Sequence, residues 1–494
     1  MMTEATSKSH KMLFFNTLAF TVAFAAWMLN GVLVTFLVSN EVFDWTSVQI
    51  GWLMGIPVLT GALMRFPVGI LTDKFGGKYV FGGLLLLSAI PMYLLSTANT
   101  FEEYALYSFG FGITGATFAV GIAFTSVWYP KKNQGTALGV FGAGNAGAAG
   151  TSLLAPAILL QLTTGDNMEG WRTLPIYYSI MLFAMGVIFL IFTENKKTHA
   201  AKKTLSQMMR PLKDLQVWKF GLWYFLVFGC FVAFSQWLIP YFVNVYYLPL
   251  ITAGFLAAAF SFPSGVIRAF GGWLSDIYGG RKVMVWVLTA SVVISAMLMI
   301  PKVDIFSPGK GVIAAIPGTV TAITENTVTV GKRVYKFSPK DPSQNKNIID
   351  SDNIHVLPVK ETWQTVVVKV GQKVKKKELL IKGMTKISFQ ANVWIFAVLA
   401  IIIGSVWGIG KAAVYKYIPE HYPDDVGMVG GVVGVLGGLG GFFTPIIFGY
   451  LLEYTGLWSS AWAYILIITF IGMWWLLHDS ADSADKADEY HRNK

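Results

Sequence analysis

Charge is scarce in this chain. Asp, Glu, Lys and Arg together make up 13% of 494 residues, about half the ~25% usual in a soluble domain. Cysteine is scarcer: Cys230 stands alone in an apolar stretch, which excludes an intramolecular disulfide or a cysteine metal cluster and leaves it as a core filler. The six histidines, His10, His199, His355, His421, His478 and His491, show no ligand spacing. No nucleophile–base pair stands out in the apolar stretches either. No catalytic residue, metal or cofactor is therefore expected, and the chain is not read as an enzyme. The net charge of +11 gathers in short loops and one polar segment, so it carries no nucleic-acid signal. Most informative is what the apolar stretches lack: no Asp or Glu lies deep inside any of them.

What is present is hydrocarbon-like. Hydrophobic residues reach 54% and aromatics 15%, with 50 glycines. Twelve segments are predicted to cross a bilayer, at roughly 12–38, 48–72, 79–97, 104–128, 135–160, 174–193, 217–244, 251–274, 282–299, 389–417, 424–450 and 459–478. They are helices, because an open sheet leaves backbone groups unpaired in lipid. The first begins near Met12, is too long for a signal peptide and lacks a small-residue cleavage site, so it reads as the first span. Basic residues set the orientation. Lys196, Lys197, Lys202, Lys203, Arg210, Lys213 and Lys219 crowd the central linker, and Lys74, Lys78, Lys131, Lys132, Arg281 and Lys282 occupy loops on the same side. Loops of the other side hold Glu41, Asp44, Glu102, Glu103, Asp166 and Glu169 against a single Arg172. The expectation is a multi-pass protein of the cytoplasmic (inner) membrane with both termini cytoplasmic.

Two halves repeat. GALMRFPVGILTDKFGGK, 61–78, places Arg65 in an apolar run eight residues before Asp73; GVIRAFGGWLSDIYGGRK, 265–282, places Arg268 eight before Asp276. This predicts two six-span bundles related by an axis along the membrane normal, at 1–195 and, interrupted, at 217–300 and 388–480, with a linker at 196–216 and a charged tail at 481–494. Asp73 and Asp276 are expected at cytoplasmic helix ends, either in inter-helix contacts that hold one gating state or simply as soluble loop residues. An arginine in hydrocarbon costs at least about 3 kcal/mol and stays protonated. Two matched arginines without a carboxylate partner suit a mobile anion held between the halves by forked donors; bonding to nearby carbonyls, or snorkelling, stays open.

The interruption, 301–387, is polar and rich in Val and Thr, with 15 Lys/Arg against 7 Asp/Glu. IPGTVTAITENTVTV and RVYKFSP read as strands with turns, and TVVVKVGQKVKKKELLIKG as strand–turn–strand. In cadence the segment resembles a biotinyl/lipoyl-type hairpin domain without the modified lysine between methionines. A β-rich, barrel-sandwich-like extracytoplasmic insertion is expected, with anion capture, assembly or an extracytoplasmic partner as open roles.

Further candidates lie in the spans. GVFGAGNAGAAGT, 139–151, and GMVGGVVGVLGGLGGFFTP, 427–445, allow close helix packing rather than phosphate binding. Asn145 either binds substrate or bridges helices. Lys411, in GIGKAAVYKYIP, either stands near the cytoplasmic mouth of an anion path or snorkels. Tyr224 and Phe228, four residues apart, share a helix face, and Phe118 lies on the fourth span; among 36 Phe and 20 Tyr composition does not single these three out.

The stretches GALMRFPVGILTDKFGG, AVGIAFTSVWYPKKNQGTALGVFGAGNAG, GVIRAFGGWLSDIYGG and the glycine run from Gly427 together resemble the nitrate/nitrite porters of the major facilitator superfamily, over nearly all twelve spans. The resemblance implies a monomeric transport unit that moves nitrate or nitrite by rocker-switch alternating access in nitrate assimilation. It also implies that Arg65 and Arg268 grip the anion, with Phe118, Tyr224, Phe228 and Asn145 around it. The insertion is not part of that family's usual core. GKAAVYK around Lys411 differs from the exchanger pattern and is more similar to the assimilatory-type branch, so exchange and proton symport both stay open. The competing readings are a carrier of another small anion, such as cyanate or an organic carboxylate, and a transport-inactive anion sensor or assembly protein.

Overall fold

Among the described residues, eleven helices are long and apolar enough to cross a membrane, and two more, Leu250–Val266 and Arg268–Tyr278, make a twelfth crossing bent by 41° if taken as one span. The computed structural model describes residues 6–165, 167–196, 213–300, 303–340, 359–389, 392–422 and 426–492. Most of the linker expected at 196–216 lies outside these residues, as does Asp166. The fold is an all-α polytopic bundle with a small β-rich insertion. Side chains such as Leu106, Ile180 and Ile191 are exposed on the bundle surface, where hydrocarbon replaces water, while Trp27, Trp223, Trp237, Trp407 and Trp462 are fully buried. Buried indoles need acceptors: Trp27 Nε1 donates to the Pro57 carbonyl at 2.8 Å and Trp223 Nε1 to that of Gly472 at 2.9 Å.

Several spans are not the uninterrupted helices expected. Span 4, Phe101–Trp128, contains a 3-10 stretch at Gly112–Ala116, and span 5, Thr136–Leu162, one at Ala143–Ala146. Span 7, Leu215–Tyr246, carries a π-helical turn at Phe225–Cys230. Span 8 breaks at Ile267, one turn after Pro263, which removes a rung from the helical ladder. Span 12, Ser460–His478, continues as helix to Arg492 through the expected charged tail, where no Gly or Pro stops it.

The repeated motifs end alike. Gly76 and Gly279 close spans 2 and 8 with φ of 89° and 84°, each donating its N–H back one turn, to Thr72 at 2.8 Å and Ser275 at 2.9 Å. Only glycine adopts this backbone without strain.

Glycines also record how the halves meet. On span 2, Ser47–Phe75, a methyl group at Gly51 would collide with the Pro445 carbonyl of span 11, Val429–Thr455. One at Gly55 would stand 2.7 Å from the Phe442 carbonyl oxygen, and one at Gly449 would strike that of Ser47. Gly254 of span 8 is pressed on the Ser152 carbonyl of span 5. Further along the same pairs the fit loosens: the nearest atoms are 3.8 Å away at Gly265 (Asn145 Cβ, Ala146 N) and at Gly142 (Arg268 Nη1). One turn beyond the arginines, Gly69, Gly272, Gly139 and Gly431 have nothing within 4 Å. The halves are therefore closed at one end and part toward the end that carries Asp73 and Asp276.

Residues Ile300–Phe396 form a compact unit of their own. One sheet has the order β1–β7–β5, with Val303–Ile313, Leu379–Phe389 and Val359–Val366. The other runs β4–β3–β2–β6, with Arg333–Lys336, Thr327–Val330, Gly318–Ile323 and Lys373–Val374. Neighbours in both sheets are antiparallel. Ala314, Val320, Val328, Val330, Val368, Val374, Leu380 and Ile381 make its core. Leu380→Ala is expected to cost this unit about 2–5 kcal/mol. Hydrogen exchange would show it as faster exchange in β1 and β7 and unchanged exchange in the bundle.

Candidate anion-binding site

The helix irregularities coincide with the candidate residues. Phe118 follows the 3-10 stretch of span 4, Asn145 lies inside that of span 5, Phe228 inside the π turn of span 7, and Arg268 directly after the break in span 8. Such interruptions free backbone groups and re-aim side chains, and they recur at functional sites. Arg65 lies at no such interruption, on a continuous 29-residue helix opened by a capping box between Thr46 and Gln49.

Arg65 is 7% exposed. Its Nη1 donates to the Gly434 carbonyl at 2.6 Å, so span 2 grips span 11 where the latter's glycine run lets a guanidinium approach. Its guanidinium carbon lies 5.6 Å from the Phe118 ring centre and 5.5 Å from that of Phe228. Arg268, half-buried, stands 5.8 Å from the same Phe118 ring and 6.0 Å from that of Tyr415. Both arginines thus face one ring, and their guanidinium carbons are no more than about 11 Å apart. Tyr224 stacks on Phe228 with centroids 5.0 Å apart and planes 7° from parallel, and meets Tyr415 edge-on at 5.0 Å.

Polar demand is left open on the arginines and on Asn145. Arg65 Nε, Arg268 Nη1 and both side-chain polar atoms of Asn145 are buried without a hydrogen-bond partner. Buried donors in folded proteins are nearly always satisfied. Among the described residues neither arginine meets a carboxylate. The arrangement offers forked and amide donors between aromatic faces to a small planar acceptor.

The remaining candidates fall outside this cluster or at its rim. Lys411 does not snorkel and is not at a mouth: it is fully buried, its Nζ donating to Ser264 Oγ at 3.0 Å and lying 3.1 Å from the Phe231 ring centre. Asp73 is exposed and makes no ion pair among the described residues. Asp276, also exposed, pairs with Lys416 of span 10 at 2.6 Å. An exposed pair of this kind contributes about 0–1 kcal/mol. Tyr415 escaped the sequence reading. Its hydroxyl donates to the Gly430 carbonyl at 3.1 Å while its ring faces Arg268. It lies four residues after Lys411, on the same helix face, and that spacing was the available signal.

The chain is similar to known carriers. The profile of the Major Facilitator Superfamily matches residues 16–331 and 380–492. A Thermus thermophilus protein named "Probable nitrate/nitrite antiporter NarK1" is 36% identical over 472 residues, covering 94% of this chain and 90% of that protein. The "Probable nitrate transporter NarT" of Staphylococcus aureus (strain JH9) is 25% identical over 454 residues, 92% of this chain and 91% of its own length. Among solved structures, a bacterial homologue of the human lysosomal transporter Spinster, inward-facing and occupied, superposes with a TM-score of 0.63 at 13% identity. It covers 97% of this chain and 98% of its own, and shows the fold alone. With the superfamily matched over most of the chain and a relative this similar across most of its length, the chain belongs to the nitrate/nitrite porter family of the major facilitator superfamily.

Proposed function

We propose that this chain is a secondary transporter that carries nitrate, nitrite or both across the cytoplasmic membrane by alternating access, with the anion held between Arg65 and Arg268. The observation that carries this reading is the shared Phe118 ring: two arginines from opposite halves face it with unpaired donors and no carboxylate in contact among the described residues. Phe118, Phe228 and Tyr224 flank the anion, and Asn145 donates its amide to it. Lysines and arginines concentrate in the loops at one end of the bundle, which supports a cytoplasmic placement of both termini and an extracytoplasmic insertion. With that orientation the parted end of the halves faces the cytoplasm, and the state described is inward-facing.

Asn145 separates binding from folding. Its side-chain polar atoms bond to no protein group, so Asn145→Ala is expected to leave thermal stability unchanged or raised. It should weaken anion affinity by about 1–3 kcal/mol, the cost of a lost polar partner in a buried site. Titration of nitrite against the melting temperature of both proteins measures the two effects together.

The function is tested with purified protein in vesicles loaded with unlabelled nitrite, following uptake of labelled nitrate and nitrite. Saturable counterflow of either anion, competed by the other, supports the reading. Counterflow of cyanate or formate alone would reassign the substrate.

A further inference from the structure

Lys411 is the buried charge that the anion site does not use. It sits on span 10, Val393–Ile418, and is fully enclosed. An ammonium has three donors, and here one hydroxyl, Ser264 Oγ, and one ring face, that of Phe231, answer them. Among the described residues no carboxylate reaches it. Glycines bring its neighbours close: methyl groups at Gly404 and Gly408 would clash with Phe260 and with the Ser264 backbone. Lys411 is thereby fixed against span 8 one turn before the break that carries Arg268. The ionisable groups around it are few. Among the described residues, span 8 carries Arg268, four residues after Ser264; span 7 carries Tyr224 and Cys230; its own helix carries Tyr415.

Charge counting gives this placement a consequence. With Lys411 protonated, an empty site would hold three positive charges and no described carboxylate in contact; each is expensive in a membrane interior. An anion on the arginines removes one unit of that excess and the repulsion from Arg268 with it. We propose that Lys411 is the proton carrier of this transporter: its amine takes up a proton as the anion docks on Arg65 and Arg268, and gives it up as the anion leaves. The site then carries two positive charges when empty, and three less one when loaded, so both forms cross between the two states with the same net charge. On the loading side an N–H bond forms with a proton from water; on the release side that bond breaks and the proton returns to water, while the nitrate or nitrite is unchanged. Ser264, next to Gly265 and its neighbour Asn145, is the contact through which the amine meets the anion site. One proton accompanies each anion, and the carrier is a symporter. This rests on the anion-transport reading above.

The test uses the full chain in proteoliposomes without internal anion, with labelled nitrate or nitrite outside and a proton gradient imposed across the membrane. For one proton per anion, a gradient of one pH unit concentrates the anion about tenfold in the wild type, with internal acidification seen by a trapped pH dye. Lys411→Gln is expected to lose this accumulation and the acidification, yet keep counterflow against internal nitrite, which needs the arginines and not the proton. Lys411→Arg, which keeps charge but cannot release the proton, is expected to behave like K411Q and carries the test if K411Q does not fold. Proton-driven accumulation that survives in either folded variant overturns the assignment to Lys411. Wild-type protein that shows counterflow without proton-driven uptake overturns symport while the anion-transport reading stands. Folded wild-type protein that moves neither anion in either assay overturns both.

Discussion

Exchanging Arg65 for lysine is expected to lower nitrate and nitrite transport about 100-fold without loss of folded protein. The charge is kept, so the loss isolates geometry. Arg65 does several things at once: Nη1 holds the Gly434 carbonyl, Nε is left open, and the guanidinium lies between the Phe118 and Phe228 rings. Lysine has one nitrogen and no plane; it can hold the carbonyl or the anion, and stacks less well on either ring. Breaking one partner of a buried, hydrogen-bonded charge pair costs about 2–5 kcal/mol, and about 3 kcal/mol corresponds to two orders of magnitude. Initial uptake rates, read beside the melting temperature in detergent, check it. An Arg65→Lys protein that transports at the wild-type rate would show that the fork has no role.

The second large effect lies far from the anion. Gly51→Val is expected to abolish transport while leaving anion binding in place. A side chain at position 51 meets the Pro445 carbonyl and, at 3.0 Å, the Ile446 Cα; these are backbone atoms and cannot rotate away. Spans 2 and 11 have to separate there, which disfavours the state closed at that end. Overpacking costs about 1–3 kcal/mol for added methylenes in a tight interface, and alternating access shifts tenfold for every ~1.4 kcal/mol. Cysteine labelling reads the shift directly, because the natural Cys230 is buried and a reporter cysteine near Ser47 becomes the accessible thiol. Wild-type transport by Gly51→Val would mean that the contact of Gly51 with Pro445 is not needed in the cycle.

The twelve spans were legible because burial in hydrocarbon leaves a long uninterrupted signal, and Arg65 and Arg268 because a charge inside such a signal is conspicuous. The broken helices were not legible. A 3-10 or π turn is set by what presses on it: a methyl group at Gly115 would stand 2.5 Å from the Trp27 ring, one at Gly144 2.6 Å from Phe20, one at Gly229 2.5 Å from the Gly440 Cα. Those partners come from other spans, and no local pattern encodes them. Lys411 shows the same limit. A lysine near a helix end reads alike whether it snorkels or is enclosed, and Ser264 and Phe231, on two other helices, decide. Asp73 and Asp276 match in sequence yet differ in structure, because Lys416 answers Asp276 and no described residue pairs with Asp73.

The central claim is that one anion bridges the two halves through Arg65 and Arg268. An experimental structure of the protein in saturating nitrate tests it most directly. Planar density between the two guanidinium groups, beside the Phe118 ring and within hydrogen-bond reach of Asn145, is the predicted result. A nitrate bound elsewhere in the bundle, with the two arginines bonded only to protein, would contradict the account.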